Sequence, residues 1–125
     1  MKICKTMLLL ISLSFFAEVG HAALSATCNQ ELRDLVVPPL KGVTMNKKDV
    51  RVELEDHNSD VYSVRLFVVA DSPDNLDKQV SIGWVNLDTN KMKAFDVTDD
   101  PNSRIELRVS GSKYKSFVGR CLQRN

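Results

Sequence analysis

The chain has 125 residues, with 17 Lys and Arg against 16 Asp and Glu and a formal net charge of +1. Such a balance provides neither a basic face for phosphates nor an acidic tail, and so argues against nucleic acid as a partner. Five glycines and two histidines are too few for a phosphate loop or a histidine-rich metal site.

Lys2 and Lys5 precede an uncharged apolar run from Met7 to Ala17, which gives way to Glu18-Val19-Gly20-His21-Ala22. A basic start, an apolar middle and small residues before a cut predict a secretory signal peptide over residues 1–22. The run is shorter than the roughly 20 residues a spanning helix needs. Leu24-Ser25-Ala26-Thr27-Cys28 resembles a bacterial lipobox. Thr27 is a poor residue directly before that cut, however, and Cys28 lies well beyond the apolar run. The expected product is therefore a soluble periplasmic or secreted domain covering residues 23–125, with no membrane span after cleavage.

Removing residues 1–22 leaves 103 residues carrying 15 basic and 15 acidic side chains, enough for one modest domain. A domain this small gains from a covalent staple. Cys4 leaves with the signal, and Cys28 and Cys121 remain near the two ends in a compartment where disulfides persist. A Cys28–Cys121 bond is the expectation.

Ser25 can cap a helix from about Ala26 to Val37, with Cys28, Leu32, Leu35 and Val36 on one apolar stripe. Pro38-Pro39 ends it. Residues 40–48 read as a loop. Val50, Val52 and Leu54 alternate with Arg51, Glu53 and Glu55 in a half-buried strand, and His57-Asn58-Ser59-Asp60 reads as a turn. In a strand from Val61 to Ala70, Tyr62, Val64, Leu66 and Val68 face one way and Ser63, Arg65 and Phe67 the other. After a polar loop to Gln79 come strands over Val80–Leu87 and Met92–Thr98, joined through Asp88-Thr89-Asn90-Lys91. Asp99-Asp100-Pro101-Asn102 is another turn, and Ile105, Leu107 and Val109 mark a fifth strand. Tyr114, Phe117, Val118 and Cys121 then recur at helical spacing.

The expected fold is α+β: an antiparallel sheet of about five strands, with an N-terminal and a C-terminal helix packed on one face and joined by the disulfide.

No catalytic or metal signature emerges. His57 is the single histidine after residue 22 and sits in a turn, and no G-x-S-x-G is present. Aspartates cluster in turns (Asp56 and Asp60, Asp71 and Asp74, Asp99 and Asp100), where they ordinarily bind nearby amides. Residues 71–77 lack the spacing of a calcium loop. Neither cofactor nor metal is expected, and the chain reads as a non-enzyme.

Two short stretches resemble known families. Residues 81–88 with 92–97 resemble the closing hairpin of PepSY-type extracytoplasmic domains, with Asn90-Lys91 where those have glycine. Ser110-Gly111-Ser112-Lys113-Tyr114 is similar to a Ser-Gly-x-x-Tyr motif of periplasmic C-type lysozyme inhibitors. In that family the motif lies further from the last cysteine and the fold is all-β, so neither likeness transfers a function to this chain.

Trp84, the only tryptophan, is a candidate partner contact, as are Phe67 and Phe95 if they lie on the sheet face away from the helices. The functional expectation is a periplasmic protein-binding domain of the immunity or inhibitor type, occluding a cell-wall hydrolase or toxin. The alternative is a carrier of a small ligand or lipid, with a pocket between sheet and helices.

Overall fold

The computed structural model describes residues 23–70 and 78–122. The predicted signal segment, the polar loop 71–77 with its aspartates, and residues 123–125 lie outside the described residues.

Helix α1 spans Ala26–Val36, and Ser25 caps it by accepting the Cys28 backbone N–H at 3.1 Å. It turns its Leu32, Leu35 and Val36 stripe inward, and the chain leaves it at Pro38-Pro39, which cannot continue the hydrogen bonding. The connection to the sheet is tied down at Lys47–Asp49, a 3-10 turn capped by Asn46. From α1, Arg33 reaches this turn and donates to the carbonyls of Lys47 and Val50.

Five antiparallel strands follow as a meander in the order β1-β2-β3-β4-β5: Arg51–Asn58, Val61–Val69, Gln79–Asp88, Lys93–Asp96 and Ile105–Leu107. Two connections differ from the sequence reading. His57 and Asn58 belong to β1, because they pair with Tyr62 and Val61 and the His57 ring packs edge-on against Tyr62. That leaves a two-residue turn in which Ser59 adopts a positive φ of 56°, as tight hairpins require. The β3–β4 connection is Thr89–Met92 rather than 88–91. Asp88 closes the end of β3 and accepts the backbone N–H groups of Asn90 and Lys91.

Helix α2 covers Gly111–Phe117 and runs on as a wider π-type turn over Val118–Leu122. The apolar stripe predicted for it places Tyr114 and Phe117 in the core. Both helices pack on the same sheet face, where Leu32, Leu35, Val36, Tyr114 and Phe117 meet Val52, Val64, Leu66, Val85, Leu87, Ala94 and Leu107. Tyr114 keeps its hydroxyl satisfied by donating to the Lys93 carbonyl at 3.0 Å. The Cys28–Cys121 disulfide joins the two helices across a sequence separation of 93. The α+β arrangement expected from the sequence is the one observed. Among the described residues no helix is long and apolar enough to cross a membrane.

Candidate functional site

Alternation along the strands sends one set of side chains into the helix-covered core and the other to the opposite, outer face. Arg65 is paired with Glu53 on one side and with Trp84 on the other, and Asn86 is paired with Phe95. The sheet thus carries Glu53, Arg65, Phe67, Trp84, Asn86 and Phe95 on one outer surface, bringing the three predicted contact residues to a single face.

They differ in what covers them. Phe67 and Phe95 are only 7% and 8% exposed, although neither belongs to the main core cluster. Arginines roof them over. The Arg65 guanidinium lies 4.5 Å from the centre of the Phe67 ring, and that of Arg104 lies 4.1 Å from Phe95. Guanidinium planes over aromatic faces gain from the ring quadrupole and shed little hydration. Among the described residues no arginine roofs Trp84, which is 36% exposed.

The cover over Phe67 is held firmly. Arg65 Nη2 donates to Glu53 Oε2 at 2.6 Å and to Gln79 Oε1 at 2.7 Å, and Nη1 donates to Ser81 Oγ at 3.0 Å. Nε lies 2.8 Å from Glu55 Oε1 in an ion pair whose N–H is not aimed at the oxygen. A β-bulge between Leu54 and Asp56 leaves Glu55 outside the regular pairing, and Glu55 reaches the same arginine as Glu53. The Arg65 pKa is raised, first by the hydrogen bond it donates to Glu53 and then by the charges of Glu53 and Glu55, against burial acting the other way.

The backbone under Trp84 is also fixed. Thr98 Oγ1 accepts the Trp84 N–H at 3.0 Å, and Val97 N–H donates to the Trp84 carbonyl at 3.0 Å. This approach needs Gly83: a Cβ there would stand 2.4 Å from Thr98 Oγ1. Gly83 and Thr98 together carry the strand beyond the end of β4.

Several of the other polar candidates have structural partners. The side chains of Asp56, Asp88, Asp96 and Asp100 each accept at least one nearby backbone N–H. Cys28, Cys121 and Glu31 offer ligand atoms within 4.8 Å of one another. The two sulfurs are bonded to each other, and Glu31 is paired with Arg120, so the trio presents no thiolate. Surface grooves of about 440 Å³ beside Met45, Arg51 and Val69 and of about 360 Å³ beside Pro38, Arg108 and Lys113 are open to solvent. Among the described residues, core side chains pack between sheet and helices.

Sequence reasoning missed the arginine roofs and the Gly83–Thr98 contact. The available signals were an arginine in mid-strand opposite the core face and two glutamates in alternation on the preceding strand. Comparison of the chain with protein-family models, with curated proteins and with solved structures finds no match in any of the three.

Proposed function

We propose that this protein is an exported, non-enzymatic binding domain that occludes a protein partner of the cell envelope, such as a cell-wall hydrolase, through the outer face of its sheet. The observation that carries the reading is Trp84: a large aromatic left exposed at the middle of a face whose two other aromatics are roofed by arginine. Aromatic and arginine side chains concentrate binding energy at protein interfaces. A rigid support adds to this, because groups already held in place lose little entropy on association. Arg65, anchored by two glutamates, and the Trp84 backbone, held by Thr98, meet that condition. The disulfide suits an exported domain. Nothing among the described residues specifically favours the carrier alternative.

The test captures partners from envelope extract and secreted toxin preparations on the oxidised protein, then assays the captured hydrolase. The expected result is one stoichiometric hydrolase whose activity falls on addition of the protein. Trp84→Ala should weaken the complex at least about 30-fold, corresponding to about 2 kcal/mol, while leaving the fold intact. Unchanged affinity in that variant removes the Trp84 face from the account, and failure to capture any hydrolase at micromolar bait overturns the inhibitor reading.

A further inference from the structure

The two arginines stacked on aromatic rings of the outer face differ in what surrounds their guanidinium groups. Arg65 is engaged on every side: Glu53 and Glu55 pair with it, and Ser81 and Gln79 accept from it. Arg104 lies 4.1 Å from the centre of the Phe95 ring, and among the described residues no carboxylate pairs with it. Glu106, which follows it in β5, is taken by Lys93 at 3.1 Å. Asp100, which precedes it, accepts the Asn102 backbone N–H.

Register brings Arg104 near Trp84. Arg65 pairs with Trp84 on one side. On the other, Val97 N–H donates to the Trp84 carbonyl, which continues the Val85–Asp96 pairing by one residue. Asp96 pairs with Ile105, so the next step of that register sets Arg104 beside Val97. One row across the sheet thus runs Glu53, Arg65, Trp84, Val97, Arg104. Two strand spacings, about 10 Å, separate the backbones of Trp84 and Arg104. The exposed indole therefore has a neutralised arginine on one flank and an unneutralised one on the other.

A guanidinium held over a ring has already lost part of its freedom, so a ligand that engages its edge N–H donors has less left to order. Those donors match the two oxygens of a carboxylate. A phosphate fits less well, because Glu53, Glu55 and Glu106 stand nearby and repel a group carrying nearly two negative charges.

We propose that Arg104 is the specificity-determining residue of this face: it takes the side-chain carboxylate of an Asp or Glu on a protein partner, while an apolar neighbour of that acid rests on Trp84. The proposal rests on the outer face being a binding surface, and not on the partner being a hydrolase.

The probe is a displayed library of random peptides, selected on the oxidised protein, with affinities of the selected peptides then measured by titration calorimetry. These peptides are expected to share an Asp or Glu beside an apolar residue. Changing that acid to its amide should weaken binding at least about tenfold, as loss of a charge-assisted contact does. Arg104→Met removes the charge while a long apolar side chain still covers Phe95, and it should weaken the acidic peptide by a similar factor. Against Arg104→Met the acidic and amide peptides should bind alike, because the two changes remove one contact. Arg51→Met, a cation lost from the Phe67 end of the same face, should leave affinity unchanged. Selected peptides with no shared acid, no peptide selected above background, or independent additive losses from the two changes overturns the proposal. The two readings fail separately. Peptides weakened by Trp84→Ala but not by Arg104→Met would overturn the role of Arg104 and leave the face standing, whereas an envelope capture without a hydrolase removes only the inhibitor reading.

Discussion

Replacing both Cys28 and Cys121 with serine tests how far this small domain depends on its staple. The bond closes a loop of sequence separation 93. In the chain-entropy treatment a closure of that length stabilises by about 4.7 kcal/mol at 25 °C, by restricting the unfolded chain. Native-state terms change that figure little. Both sulfurs are half-buried at the contact between α1 and α2, where serine hydroxyls can still reach solvent. The surviving tie between the same helix ends is the Arg120–Glu31 pair, largely exposed on the arginine side and worth under about 1 kcal/mol. A loss of about 3–5 kcal/mol is therefore expected, a large part of the roughly 5–10 kcal/mol available to a domain of this size. With a urea slope of about 1–2 kcal/mol/M, the unfolding midpoint should fall by about 1.5–5 M. Fluorescence of the single tryptophan, Trp84, reports the transition. A midpoint shift below about 0.5 M would show that the helices hold together without the bond and would refute the closure argument.

Two further perturbations address the sheet and the core. Gly83→Ala must displace Thr98, whose Oγ1 would lie 2.4 Å from the new Cβ. The expected cost is about 1–3 kcal/mol by urea unfolding, and Thr98→Val, which leaves the Trp84 N–H without its acceptor, should cost about 1 kcal/mol. Burial, with the charge of Asp88 adding to it, raises the Tyr114 pKa well above its ordinary 10.0. The folded state thus holds this proton more tightly than the unfolded one. The resulting stabilisation is fully present below pH 10 and is lost as pH climbs toward the raised value. Melting temperature should fall above pH 10, less steeply in Tyr114→Phe, and parallel slopes in the two proteins would assign the alkaline loss to other groups.

Sequence patterns were legible wherever one element supplied its own signal. Ser25 and Pro38 bracket α1 within two residues of its observed ends, and period-two alternation separates Val64 and Leu66 from Arg65 and Phe67 on β2. The helical spacing of Tyr114 and Phe117 likewise marks α2. Features that depend on register were not legible. His57 looked like a turn residue because its place in β1 comes from pairing with Tyr62 on the next strand. That Phe67 and Phe95 share a face could be guessed from alternation, but not that arginines cover both. Arg104 lies outside any strand, and Glu55 reaches Arg65 because a bulge re-aims it. The Gly83–Thr98 contact joins residues on different segments by close approach, which no local pattern encodes.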